Sequence, residues 1–362
     1  MKPLILYADG YGDLPSYSFY NGTETLLFDQ SKWSYYRVLP DGSRERQDGV
    51  TNVCHIIDKS PALMPWAVKK ALEKLKRLLI LGEYVITDSN NDEPKLLFET
   101  LLDDIIALAK KADKEELEAA GETGHAAHEW IENYIKAIIE EKEDRRLELL
   151  SKFPSDLRAA NAVTAALEWM HKHNVRWIST ERKCFSRKHN YAGTADGLAI
   201  VDSCENKECC PETFKDRFTL VDWKTSNFLY IEYLLQTSAY QQAIQEESGQ
   251  IIEDRWIIRL GKEDAEFDPW HVSGETLFNE DFQGFLNALN LYRSVHKIED
   301  RIDELKSQKH DRAKEKLLAE RAIKCLESDK YVGKRKKKGC NGTETMCQTC
   351  EEKYLTKNPV HV

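Results

Sequence analysis

A short apolar run that closes on an acid and a lysine, two residues apart, constrains this chain more than any other feature. Phe218-Thr219-Leu220-Val221 leads into Asp222-Trp223-Lys224. The run reads as a buried strand. Side chains alternate along a strand, so Asp222 and Lys224 project together while Trp223 enters the opposite face. The pattern predicts a carboxylate beside an ammonium at the exposed end of that strand. Taken alone, a surface ion pair accounts for both charges and is worth little. A second acid, Asp196, stands upstream in Gly193-Thr194-Ala195-Asp196-Gly197, and Gln236 and Tyr240 follow downstream.

The surrounding chain supplies a mixed set of elements. At 362 residues and 41% hydrophobic content it can bury a proper core in one large domain or two ordinary ones. Aromatic and turn residues in the first 60 positions (Trp33, Tyr35, Tyr36, then Pro40-Asp41-Gly42-Ser43) predict short strands and a hairpin. Helical periodicity starts near Pro61 and runs to Leu79, and another helix spans about 96–108 after the breaker Asn90–Pro94. The clearest amphipathic helix covers Thr123–Ile139, with Ala126, Ala127, Trp130, Ile131, Tyr134, Ile135, Ile138 and Ile139 on one face. A helix at about 156–171 precedes strands at 176–186, 191–201 and 218–223, a helix at 230–245 and a strand at 255–260. Residues 282–327 read as a long charged helix. The order predicts an α/β (α+β) fold with a mixed central sheet flanked by helices, an N-terminal helical region and a long C-terminal helix. Its expected divisions are 1–95, 96–285, 286–330 and a basic, cysteine-bearing tail at 331–362.

Asp196-Gly197 matches a two-residue hairpin turn. However, Leu198-Ala199-Ile200-Val201 continues the strand pattern, and Arg187–Asn190 already provides a turn. Two acids and a lysine on neighbouring strands are then the minimum equipment for holding a hard divalent cation and an attacking water against a phosphate. The ordered set Glu181, Gly193-Thr194-Ala195-Asp196-Gly197, Val221-Asp222-Trp223-Lys224-Thr225-Ser226 and Gln236-Thr237-Ser238-Ala239-Tyr240 resembles the PD-(D/E)xK nuclease superfamily. Within it, the match is to the RecB-like branch of phage exonucleases and the mitochondrial genome maintenance exonuclease. Gly124-His125-Ala126-Ala127-His128 is similar to that branch's Gly-x-x-x-His helix, and Gly49-Val50-Thr51-Asn52-Val53 resembles phage members. At 100° per residue, His128 sits at the edge of the apolar stripe and His125 on the solvated side, which favours His128 as a ligand. His125-Ala126-Ala127-His128 lacks the Glu and the four-residue spacing of a zinc protease helix.

The resemblance implies a restriction-endonuclease-like core and a metal-dependent DNA exonuclease acting in replication, recombination or repair, with DNA and a partner protein of those processes as its partners. Asp196, Asp222 and the Trp223 carbonyl would hold Mg²⁺ or Mn²⁺, and a nitrogen ligand from His128 suits Mn²⁺ better. Lys224 would orient the water, Glu181 would hold a second metal or a water, and Gln236 and Tyr240 would contact the nucleic acid strand. An endonuclease on the same fold and a non-catalytic nucleic-acid-binding protein are the rival readings. The polar insertion Asp202–Arg217 departs from the family pattern, and hairpin loops tolerate such insertions at small cost.

Nine cysteines, an odd count, argue against a disulfide framework. Cys204, Cys209 and Cys210 share one loop, and that clustering raises metal binding. Some RecB-like nucleases hold an iron–sulfur cluster with one N-terminal and three C-terminal cysteines, which would here be Cys54 with Cys340, Cys347 and Cys350. In this chain the close pair comes last, so zinc at Cys340, Cys347 and Cys350 stands level with the cluster, and free thiols are the leading reading. A net charge of −10 excludes indiscriminate coating of nucleic acid, while Lys334, Arg335 and Lys336 begin a local basic run that can meet phosphates. No apolar run reaches about 18 residues, which excludes a membrane span. The apolar N-terminal patch is too short for a signal peptide, so the expected location is cytoplasmic.

Overall fold

The computed structural model describes residues 14–57, 60–80 and 104–327. Nine strands form one mixed sheet: β1 (Ser16–Phe19), β2 (Glu24–Asp29), β3 (Ser34–Val38), β4 (Arg44–Gly49), β5 (Arg176–Ser186), β6 (Tyr191–Val201), β7 (Arg217–Lys224), β8 (Asp254–Leu260) and β9 (Phe267–Ser273). Their order is β1-β2-β3-β4-β6-β7-β8-β9, with β5 on the remaining edge of β6. The β4–β6 and β7–β8 pairs are parallel and the others antiparallel. Helices flank the sheet: α1 (Val50–Cys54), α2 (Ser60–Ile80), α3 (Ala112–Ile139), α4 (Glu143–Ser151), α5 (Leu157–Lys172), α6 (Ile231–Ser248) and the long α7 (Glu275–Glu327). Two compact units divide the chain, Met1–Leu289 and Asn290–Val362. The described part of the second unit is the remainder of α7. No described helix is long and apolar enough to cross a membrane.

The turn at 187–190 joins β5 to β6 as their pattern predicts. Strand β6 is central because both of its edges are used. β5 lies along one edge for almost its full length. The other edge is shared: β4 pairs only at Asp48↔Tyr191 and Gly49↔Ala192, and β7 only from Gly197↔Val221 to Val201↔Arg217. Among the described residues, 193–196 therefore have no strand partner on that side, and the sheet carries a slot where β4 and β7 diverge. Backbone polar groups in such a gap must find other partners.

One face of β7 supplies the main core. Val221 and Trp223 pack with Trp169 and Ala162 from α5, Ile131 and Ile135 from α3, and Trp256 and Ile258 from β8. Trp169 meets Trp223 edge-on at 5.5 Å and Trp256 at 5.5 Å, the geometry aromatic quadrupoles prefer. Asp156 caps α5 by accepting from the Arg158 N–H at 3.0 Å, and its second oxygen accepts from Thr123 Oγ1 at 2.6 Å. That bond fixes the start of α5 against the middle of α3. The amphipathic helix extends eleven residues further towards the N-terminus than its apolar stripe alone indicates, from Ala112 rather than Thr123.

Candidate functional site

The slot beside β6 is where the sequence motifs meet. Continuing the β6–β7 register by one step would set Asp196 opposite Asp222, but the ladder stops at Gly197↔Val221. The Asp196 carboxylate replaces it, with Oδ2 accepting the Trp223 N–H at 2.8 Å. Trp223 enters the core as alternation requires. Asp222 Oδ2 lies 2.6 Å from Lys224 Nζ, and the Lys224 ammonium sits 4.7 Å from the centre of the Tyr233 ring of α6. The strand end was expected to be exposed. Asp222 is instead only 1% exposed and the Lys224 side chain 15%, because α3 and α6 both approach this end of β7.

Close approach of α3 depends on glycine. A methyl group on Gly124 would stand 2.7 Å from Thr225 Oγ1, immediately after β7. With nothing there, the helix settles onto the strand end, and one turn later His128 Nδ1 lies 3.9 Å from Asp196 Oδ2. His125 is exposed, in keeping with the helix-face argument. Gly193 plays the matching part in β6: a methyl there would stand 2.5 Å from Tyr240 Cε1 and 3.2 Å from Val50 Cγ2. Tyr240 thus packs its ring over the slot. Its hydroxyl accepts from Gln236 Nε2 at 2.8 Å, and the same nitrogen lies 3.4 Å from Thr51 Oγ1. The Gly49–Val53 motif is therefore brought to the Gln236/Tyr240 pair through α1.

Glu181 faces Asp196 across β5 and β6, between the pairs Thr180↔Gly197 and Arg182↔Ala195. Its φ is +49°, a left-handed conformation rare for a non-glycine residue in a strand. Strain of this kind collects at functional sites. Lys183 Nζ lies 3.7 Å from Glu181 Oε2 and 4.7 Å from the centre of the Phe28 ring. A cleft of about 1020 Å³ opens over this arrangement, bordered by His128, Glu132, Glu181, Asp196, Thr225, Gln236 and Tyr240. The N-terminal strands complete its wall: Tyr35 of β3 and Thr194 of β6 share a hydrogen bond of 2.7 Å. Lys183, Glu132 and Tyr35 are members that sequence reasoning missed, and Thr194 appeared only as part of the Gly193–Gly197 motif.

The site is short of positive charge. Burial raises the Asp196 carboxyl above its usual range, against the pull of Lys224 and the Trp223 N–H. Burial also pushes Asp222 up to about 6, and repulsion from Asp196 adds to it while Lys224 opposes. Glu181 is pushed to about 7 by burial and then by Asp196. Burial would lower Lys224, but Asp222 and Asp196 outweigh it and hold the ammonium above the usual lysine range. Desolvation and then the Lys224 charge bring His128 down to about 4, leaving a neutral imidazole at neutral pH. Burial of three neighbouring carboxyls thus outweighs the pull of the cations beside them.

Cys54 is buried at the end of α1. Cys340, Cys347 and Cys350, like Lys334, Arg335 and Lys336, lie outside the described residues. Among the described residues, a second group of metal-ligating type does form: His173, Cys204, Cys209 and Cys210 offer one nitrogen and three sulfurs, all within 4.8 Å of one another, and could hold a metal ion. His173 directly follows α5 and the cysteines lie in the β6–β7 insertion. The loop cysteines carried the signal, but nothing in the sequence joined them to a histidine thirty residues upstream. Comparison with protein-family models and with curated proteins found no match for this chain.

Proposed function

We propose that this protein is a divalent-metal-dependent deoxyribonuclease with a PD-(D/E)xK, restriction-endonuclease-like core of the RecB-like kind, hydrolysing phosphodiester bonds as an exonuclease. The observation that carries the reading is the slot itself. Asp196 and the Asp222/Lys224 pair come from adjacent strands, the Asp196 carboxylate is bound to the intervening Trp223 N–H, and His128 stands 3.9 Å from Asp196. The donor set of one buried carboxylate (Asp222), one half-buried carboxylate (Asp196) and one neutral imidazole fits a hard cation, Mg²⁺ or Mn²⁺, with the nitrogen favouring Mn²⁺. Raised carboxyl pKa values at Asp196, Asp222 and Glu181 point the same way, since a bound cation would offset the loss of solvation that chiefly raises them.

Asp196, Asp222, the Trp223 carbonyl and His128 would hold the ion, which supplies charge to a phosphate oxygen and lowers the pKa of water at the site. Lys224 carries the ammonium that orients this water and offsets charge building up on the phosphate. Glu181, poised near neutrality, holds or moves a proton or supports a second ion. The cleft is larger than most small-molecule sites, which fits a polymer strand better than a metabolite. Its border carries Glu129, Glu132, Glu140, Glu181 and Asp196 against Lys136, Arg182 and Lys183, so phosphate is repelled unless cations intervene. Gln236, on the border of the cleft beside the buried Tyr240 ring, offers an amide to the strand. Linear and covalently closed circular DNA, each incubated with Mg²⁺ or Mn²⁺, test the reading. Loss of the linear form alone supports an exonuclease, cleavage of both an endonuclease, and binding without cleavage a non-catalytic protein.

A further inference from the structure

We infer that His173, Cys204, Cys209 and Cys210 form a structural zinc site that fastens the β6–β7 insertion to the end of α5, behind the strand that carries Asp222. The site is separate from the acid cluster and does not depend on the nuclease reading. Its geometry matches a tetrahedral ion. Arms of about 2.3 Å to sulfur and about 2.0 Å to nitrogen place ligand atoms about 3.8 Å apart for two sulfurs and about 3.5 Å for sulfur and nitrogen. Here Cys204 Sγ and Cys210 Sγ are 3.4 Å apart, Cys209 Sγ and His173 Nε2 3.4 Å, and Cys210 Sγ and His173 Nε2 3.6 Å. The two cysteines at 3.4 Å are free thiols rather than a disulfide. An iron–sulfur cluster places its own irons between the ligating sulfurs, which spreads them further apart than one ion does. The compact spacing therefore selects zinc.

The surroundings are those of a ligand set held ready. His173 is fully buried, and its Nδ1 is engaged by the Trp169 carbonyl at 2.8 Å, which leaves Nε2 turned to the three sulfurs. That outer hydrogen bond fixes the ring as it does for metal-bound histidines generally. The Cys204 N–H donates to Cys210 Sγ at 3.2 Å, and the Cys210 N–H to the Asn206 carbonyl at 2.8 Å, so the loop is wound around the sulfurs. On ligation each thiol releases its proton to solvent, and three thiolates with one Zn²⁺ leave a net charge of −1 beside the Lys172 ammonium, which already lies in electrostatic reach of Cys204 and Cys209. The His173 ring stacks on Trp169 at 4.9 Å and meets Trp256 at 4.9 Å, and Trp169 in turn packs on Trp223. The ion would thus brace the core face of the strand whose other face carries Asp222 and Lys224.

Zinc content of the 362-residue chain, measured by elemental analysis after anaerobic purification with zinc present, decides the matter. Because Cys340, Cys347 and Cys350 are rival ligands, the measurement is made in wild type, in the triple Cys340→Ser/Cys347→Ser/Cys350→Ser variant and in Cys209→Ser, whose side chain is only half-buried. The triple variant should retain about one zinc per chain, and Cys209→Ser should lose one equivalent relative to wild type. Cobalt substitution of the triple variant should give a tetrahedral spectrum with thiolate charge transfer, a readout that needs no nuclease activity and no further folded variant. Zinc absent from the triple variant, zinc unchanged in Cys209→Ser, or iron with sulfide in place of zinc would each overturn the assignment.

Discussion

Replacing Asp222 by Asn should make the metal-free protein more stable at neutral pH, although the residue sits in a buried ion pair. The Asp222 carboxyl is pushed from 3.8 to about 6. At about 1.36 kcal/mol per unit, keeping it ionised at about pH 7.5 costs the fold up to about 3 kcal/mol relative to the unfolded chain. Asn stands in for the protonated acid, so the loss of the Lys224 attraction is already contained in that figure. The amide adds an NH₂ group facing an ammonium, which returns about 1 kcal/mol. The expected net gain is about 2 kcal/mol. The folded pKa lies above the unfolded one, so the proton stabilises the native state below about pH 4 and this contribution is lost as pH rises through about 6. The gap between variant and wild type should therefore close as pH falls from about 6 and reverse by about pH 4, where the amide penalty of about 1 kcal/mol leaves the variant the less stable protein. Urea denaturation in the presence of EDTA at several pH values measures it. Adding Mn²⁺ should then stabilise wild type far more than the variant. An Asp222→Asn protein less stable than wild type at pH 7.5, by an amount independent of pH, would refute the charge-deficit account.

Two further perturbations test the geometry. Gly193→Ala drives a methyl group against the buried Tyr240 ring and Val50, and the expected cost is about 1–3 kcal/mol by denaturant unfolding. An unchanged midpoint would mean that the ring does not depend on the glycine. His128→Ala should weaken Mn²⁺-induced stabilisation and activity at least tenfold more than His125→Ala, measured by titration with the ion; equal effects would reject the placement of His128 at the site.

Local pattern carried much of this architecture. The β5–β6 hairpin, its turn at 187–190, β7, α6 and β8 all follow from alternation, apolar periodicity and turn residues, and their bounds agree to within about three residues. Strand β9 was not legible, because its half-exposed residues, with Pro269 among them, lack a buried alternating face. Helix α4 was missed for a related reason: of its nine residues only Leu149 is buried, so no apolar stripe marks it. What local pattern cannot supply is the register of strands distant in sequence. β4 touches β6 at two residue pairs, and that short contact opens the slot, brings Thr51 to Gln236 and seats Tyr35 against Thr194. The burial of Asp222 has the same origin, since it comes from two helices closing on a strand end. His173 joins the cysteines only because the insertion folds back over the end of α5, as in the Asp202 N–H donating to the His173 carbonyl at 3.0 Å.

The proposed role of Asp196 and its neighbours is to hold a cation that promotes hydrolysis of DNA. Its most direct test is cleavage of end-labelled linear DNA by wild type and Asp196→Asn, with Mg²⁺, with Mn²⁺ and with EDTA, alongside DNA binding by both proteins. Cleavage by wild type only with a divalent ion, together with a loss of at least a thousandfold in Asp196→Asn and retained binding, is the predicted result. Equal cleavage by the two proteins, or cleavage that persists in EDTA, would contradict it.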